Sequence, residues 1–133
     1  AIDDYTRAID IEPKYISAYR MRGVAKAGFG DSQGGMADYT KAIEIAPYHD
    51  QAYYNRGVLK MELFDFQGAL DDFTMAIELD KQNAYAYRKR GVVSEIKGDR
   101  EAACQDWKKA ADLGLEEPAE WIESLESLLV SCS

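Results

Sequence analysis

Ala52-Tyr53-Tyr54-Asn55-Arg56-Gly57-Val58 decides the reading of this chain, because the stretch occurs three times. Ala18-Tyr19-Arg20-Met21-Arg22-Gly23-Val24 stands 34 residues before it, and Ala86-Tyr87-Arg88-Lys89-Arg90-Gly91-Val92 stands 34 residues after it. A second block keeps the same interval: Asp38-Tyr39-Thr40-Lys41-Ala42-Ile43-Glu44, then Asp72-Phe73-Thr74-Met75-Ala76-Ile77-Glu78, then Asp106-Trp107-Lys108-Lys109-Ala110-Ala111-Asp112. A fourth copy of that block opens the chain as Asp4-Tyr5-Thr6-Arg7-Ala8-Ile9-Asp10. A period of this length is the mark of a repeat architecture in which each unit buries its apolar face on the next.

Each period reads as two helices, because the apolar residues recur at helical spacing. Ala52, Tyr53, Gly57, Val58 and Met61 form the stripe of one, and Ala69, Phe73, Ala76 and Ile77 that of the other. Between them lie Gly30-Asp31, Phe64-Asp65 and Gly98-Asp99. Two of these put Gly past a helix end and Asp at the next N-cap, which suits a tight turn. Pro13 and Pro47 follow second helices, and Pro118 can open a last one. A Gly inside a helix costs about 1 kcal/mol relative to Ala. The recurring Gly column therefore predicts a close helix approach, Gly57 leaving room for Ala69 while the aromatic column fills the gap to the next repeat.

The pattern resembles the tetratricopeptide repeat, here as a fragment of a bacterial-type array. Tyr53, Gly57, Ala69, Phe73 and Ala76 carry the resemblance in one copy, Tyr19, Gly23, Tyr39, Ala42 and Pro47 in another. Tyr87, Gly91, Ala103, Trp107 and Ala110 carry it in the third. It implies an all-α, right-handed solenoid of antiparallel helix pairs. Residues 1–133 then form one domain, with 1–15 as the second helix of a truncated repeat. Full repeats follow at 16–49, 50–83 and 84–117, and 118–133 forms a capping helix with Trp121, Ile122, Leu125, Leu128 and Leu129 on its apolar side.

Departures from the family pattern are Arg22, Arg56 and Arg90 in place of Leu, and Lys26, Lys60 and Ser94 in place of Tyr. Gly35 stands where the other copies have Ala69 and Ala103, and Lys81 replaces the Pro. Asp4, Asp38, Asp72 and Asp106 share the period of the arginines. The two columns read either as inter-helix pairs or as two sets of solvated charges.

An apolar share of 47% is enough for a core, and the net charge of −8 argues against a general nucleic-acid binder. No apolar run approaches the ~18 residues that cross a bilayer. First helices at 16–29, 50–63 and 84–97 sum to +6, whereas second helices at 1–12, 31–45, 65–80 and 99–113 sum to −11. In the family, first helices line a concave wall. The residues expected on it are Ser17, Arg20, Met21, Val24, Gln51, Tyr54, Asn55, Val58, Tyr85, Arg88, Lys89 and Val92. Cations, amides and aromatics over an apolar floor suit an extended peptide bearing carboxylates.

Some family members clamp a partner's C-terminal carboxylate with Lys, Arg and Asn. Arg20, Asn55 and Lys89 match those places, while Val24 replaces an Asn and Tyr85 a Lys. Those two changes argue against the heat-shock chaperone tail itself and leave a related acidic ligand. The peptide-binding set is therefore Arg20, Val24, Tyr54, Asn55, Val58, Tyr85, Arg88 and Lys89.

No catalytic, metal or cofactor constellation stands out. His49, the one histidine, falls after Pro47 and reads as a solvated loop residue. Cys104 and Cys132 are too few for a disulfide framework; the reading is two thiols, with one bridge as the alternative. The expectation is a non-enzymatic interaction module with a protein or peptide partner, and neither nucleic acid nor membrane. The alternative is self-assembly, a homo-oligomer through residues 1–12, where Ile2, Tyr5 and Ile9 would be left partly unburied. The chain opens on Ala1 inside a helical pattern and reads as a piece cut from something longer. Its compartment stays unassigned, the cytoplasm being favoured.

Overall fold

A computed structural model describes residues 1–115 and residue 132. Among these, seven helices follow one another: α1 (Ile2–Ile11), α2 (Ile16–Gly28), α3 (Ser32–Ile45), α4 (Asp50–Glu62), α5 (Phe66–Leu79), α6 (Ala84–Ile96) and α7 (Arg100–Asp112). They form an all-α solenoid. The most extensive packing is within the pairs α2–α3, α4–α5 and α6–α7, and each pair then leans on the next through α3–α4 and α5–α6. The helix expected at 118–133 lies outside the described residues.

Local chemistry sets the corners. Asp31, Asp65 and Asp99 cap α3, α5 and α7, each carboxylate accepting from the backbone N–H three residues on, of Gly34, Gly68 and Ala102. The residue before each cap swings through the left-handed region, at Gly30 (φ 92°), Phe64 (φ 66°) and Gly98 (φ 89°). The middle corner thus holds a phenylalanine in a conformation that costs a non-glycine residue about 1–2 kcal/mol. Its ring stands edge-on to Phe66 at 6.1 Å.

The glycine column has a different neighbour from the one expected. A methyl group on Gly57 would meet the Phe73 ring at 2.8 Å, and one on Gly23 would meet the Tyr39 ring at 2.7 Å. Each glycine therefore seats the aromatic of its own repeat, and Ala69 is not the group it makes room for. Tyr39, Phe73 and Trp107 are consequently buried inside their own helix pairs, at 3%, 0% and 1% exposure. Ala42, Ala76 and Ala110 below them are fully buried.

The arginines are joined to Asp38, Asp72 and Asp106, while Asp4, the first of the acidic column, is exposed. Arg22 donates from Nε and Nη2 to the two carboxylate oxygens of Asp38, both at 2.8 Å. Arg56 does the same to Asp72, and Arg90 to Asp106. The third nitrogen, Nη1, donates to a threonine of the preceding second helix: Thr6, Thr40 and Thr74 at 3.2–3.3 Å. Each guanidinium also lies 5.5–5.8 Å from the ring of Tyr19, Tyr53 or Tyr87, one turn back on its own helix. Lys26 and Lys60, which depart from the family's Tyr, add a second cation to Asp38 and Asp72 at 3.4 and 3.1 Å. In the third pair that place is the buried Ser94. One arginine thus ties three helices.

Two further expectations are corrected. Cys104 and Cys132 are joined as a disulfide with Cα atoms 5.7 Å apart, so neither is a thiol. Cys132 packs on Ala103, Cys104 and Trp107, and pairing follows because that apolar contact brings the sulfurs together. Ile9 is buried at 8% exposure, while Ile2 and Tyr5 stay half-buried. The reason is that α1 packs on α2, its one helix neighbour among the described residues.

Candidate functional site

The helices α2, α4 and α6 carry the expected inner-wall residues, and the structure gathers them into two groups. In the first, Arg20 on α2 donates from Nη1 to Asn55 Oδ1 on α4 at 3.2 Å. Val24, Asn55 and Val58 then line a cleft of about 260 Å³ with Ala27, Tyr39 and Glu62. Of the two valines that line it, Val24 is exposed and Val58 half-buried. Tyr39 feels the charges around this cleft: burial raises its phenol pKa most, Arg20 opposes that, and Glu62 and Asp38 add to it.

In the second group, Tyr54 on α4 lies near Tyr85 and Arg88 on α6. Burial raises the Tyr54 pKa, the neighbouring Tyr85 raises it further, and Arg88 lowers it. Tyr54 is half-buried and tilts on Phe73 at 5.9 Å, so much of its ring serves the core. Tyr85 is exposed and lines a second, wider cleft of about 670 Å³ with Asp50, Gln51, Asp80, Asn83 and Leu115. Lys89 sits half-buried on α6. Ser17 and Met21 belong elsewhere, in a groove between α1 and α2.

The charge of this wall is smaller than the helix totals imply. Of the nine cations on the first helices, Arg22, Lys26, Arg56, Lys60 and Arg90 point into the seams onto Asp38, Asp72 and Asp106. Lys97 donates to Gln67 at 2.6 Å. The other three cations of these helices are Arg20, Arg88 and Lys89.

Sequence reasoning missed three groups. Glu62 and Tyr39 line the first cleft; the periodic columns alone place Tyr39 in the core and leave Glu62 unremarked. His49 is not a solvated loop residue. It is half-buried as the residue before α4, its Nε2 is buried without a hydrogen-bond partner, and its pKa is lowered by burial first and then by Arg20. Pro47 near the turn pointed to exposure, whereas His49 is half-buried and close enough to Arg20 of α2 to feel its charge. Among the described residues no group of three or more His, Cys, Asp or Glu could hold a metal ion, and no helix is long and apolar enough to cross a membrane.

Comparison with known proteins bears on the fold. The model of the family described as Tetratricopeptide repeat matches residues 51–83. No curated protein matches the sequence. Among solved structures, the Arabidopsis OM64 TPR domain is 26% identical, with a TM-score of 0.79 over 89% of this chain and 96% of that one. The first TPR of Spaghetti (RPAP3), bound to the HSP90 peptide SRMEEVD, is 21% identical, with a TM-score of 0.78 over 88% and 92%. The crystal structure of MamA is 22% identical with a TM-score of 0.79 over 85% of this chain, which spans 66% of that one. The matched repeat recurs at 34-residue intervals on either side, and the helices around it share the fold of these domains. Residues 51–83 match the tetratricopeptide-repeat model, and the chain around them has the fold of these solved tetratricopeptide-repeat domains.

Proposed function

We propose that this chain is a non-enzymatic protein-interaction module that binds an extended peptide, acidic or ending in a free carboxylate, along its inner wall. The observation that carries the reading is the contact of Arg20 with Asn55, a residue that lines the Val24–Val58 cleft. A guanidinium whose Nη1 is held by an amide, with Nε buried and without a partner, is aimed and partly desolvated before any ligand arrives. Charge-assisted hydrogen bonds to carboxylate are strongest in that setting. Arg88 and Lys89 continue the cationic line on α6, beside the aromatic surface of Tyr54 and Tyr85. Glu62, which lines the same cleft, favours a ligand with its carboxylate towards Arg20 and a neutral or cationic residue towards Glu62. A relative of the same fold is bound to the peptide SRMEEVD, which carries three acidic residues, and this supports the class of ligand.

A library of random peptides with free C-termini, selected on the immobilised chain at low salt, tests the reading. Enrichment of Asp and Glu is expected, with retention falling as salt rises, since exposed charge contacts are screened over about 8–10 Å. Selected peptides with no acidic bias would sink it.

A further inference from the structure

Cys104 stands on α7 with a cation one turn to each side. Arg100 precedes it by four residues and Lys108 follows it by four, a spacing that puts all three on one helix face. That face lines a cleft of about 440 Å³ together with Glu101, Gln105 and Cys132. The two sulfurs of the bridge differ in access, since Cys104 is buried with Ala103 and Trp107 whereas Cys132 is half-buried. Charge at the cleft also runs against that of the molecule. The chain as a whole carries −8 and repels anions. Around the cleft Arg100 and Lys108 outnumber Glu101, although Arg100 also pairs with Glu95 at 2.6 Å.

Thiol–disulfide exchange needs what these residues supply. An attacking thiolate must reach one sulfur, and the other must leave with a negative charge. A thiolate arriving from solvent finds Cys132 the more accessible. Its sulfur bonds to Cys132 Sγ as the bridge breaks, and the bonding pair passes to Cys104 Sγ. Lys108 and Arg100, on the same face and in the same cleft, favour that new charge. A second thiolate then attacks the small thiol's sulfur in the mixed disulfide, and Cys132 leaves as a thiolate. Two small thiols have become one disulfide, and the bridge has gained two electrons.

We propose that the Cys104–Cys132 bridge is a redox-exchange site for small thiols bearing carboxylates, entered at Cys132 with Cys104 as the leaving group. Opening the bridge unties Cys132 from its packing on Ala103 and Trp107. The third helix pair is where that release is felt, because its seam has Ser94 where the other two have Lys26 and Lys60. The inference is independent of the inner-wall reading, which uses no residue of α7.

The test uses the whole 133-residue chain, air-oxidised, with mercaptopropionate as anionic probe and cysteamine as cationic probe. Opening of the bridge is followed by acid quench, alkylation and mass measurement. Each rate is divided by that of the same thiol on the chain unfolded in urea, which removes differences in intrinsic nucleophilicity. After that division the anionic thiol should be favoured about tenfold, and the advantage should shrink as salt rises. Lys108→Glu should remove the preference. Lys109→Glu, the same change of charge at a residue outside the cleft lining, should keep most of it. Both lysines are exposed, so neither substitution disturbs the fold. Peptide mapping of quenched samples should place the mixed disulfide on Cys132. The proposal is overturned by free thiols that persist in the air-oxidised chain, by no preference for the anionic thiol, by equal loss of preference in the two lysine variants, or by a mixed disulfide on Cys104.

Discussion

Two columns of cations stand two residues apart on the same helices and do opposite things. Arg22, Arg56 and Arg90 turn into the seams, where Asp, Thr and Tyr surround them. Arg20 and Arg88 turn to the inner wall, beside Asn55 on one side and Tyr54 on the other. A step of two residues is about 200° around a helix, so neighbours in sequence face away from each other. The charge of a helix is therefore no measure of the charge of a surface. Here the seam column joins the helices, and the proposed function assigns recognition to the wall column.

The largest effect should come from opening a seam. Asp72→Ala leaves Arg56 and Lys60 without their carboxylate in a site where the Asp72 side chain is 5% exposed. A loss of about 3 kcal/mol is expected in urea unfolding, because an uncompensated buried charge remains. Asp4→Ala, the same change in the same motif, should stay within about 0.5 kcal/mol. Replacing all three together, as Arg56→Met, Lys60→Met and Asp72→Leu, should recover most of the loss. Failure to recover would mean that the Thr40 and Tyr53 contacts of Arg56 carry the seam.

Reduction comes next. The third seam lacks the extra lysine of the other two, having Ser94 there, and α7 is tied instead through Cys104 to Cys132 across 28 residues. Loss of that cross-link should cost about 2–4 kcal/mol. It should be read as faster amide exchange in α7 than in α5 after reduction. Equal protection in the two helices would show that the bridge does not hold the third pair.

The wall column should leave a pH signature through His49. Its folded pKa lies below the ordinary 6.5 because burial and Arg20 disfavour the imidazolium. The unfolded chain then binds the proton more readily, so stability is full above about pH 6.5 and falls as pH drops through the folded pKa. His49→Gln should flatten that part of the profile; an unchanged slope would assign it to other groups.

Gly35→Ala should be the smallest change. Alanine in a helix gains about 0.5–1 kcal/mol over glycine, and Ala69 and Ala103 stand at the equivalent places. A methyl at Gly35, however, meets Ala27 Cβ and the Gly23 carbonyl oxygen at 3.1 Å and Leu59 at 3.3 Å. The two effects should cancel to within about 0.5 kcal/mol. A larger gain would mean that α2 and α3 separate without cost.

The helices were legible because a strict 34-residue interval fixes which residues share a face, and the Asp caps mark where second helices start. The Arg–Asp pairing was legible for the same reason, as two columns of opposite charge in step. Periodicity does not fix rotation about the helix axis, and that rotation decides that Gly57 meets Phe73 and not Ala69. Nor does it reveal contacts between successive repeats, so the arginine–threonine bonds were not foreseen. The bridge of Cys104 to Cys132 joins a helix to a segment beyond the repeats, where no column applies. At the wall, Arg20, Val24, Asn55 and Val58 come together in one place, but Tyr54 is shared with the core and Tyr85 lines a different cleft.

The division of labour between the columns can be tested in one variant, Arg20→Glu with Arg88→Glu, measured for stability and for binding of a peptide selected on the parent chain. Neither arginine pairs with Asp38, Asp72 or Asp106, so the urea midpoint should move by less than about 0.5 kcal/mol equivalent. Binding should weaken by at least about a hundredfold, two charge-assisted contacts being replaced by repulsion. A variant that keeps its stability and still binds the peptide with parental affinity would contradict the account and move recognition off the inner wall.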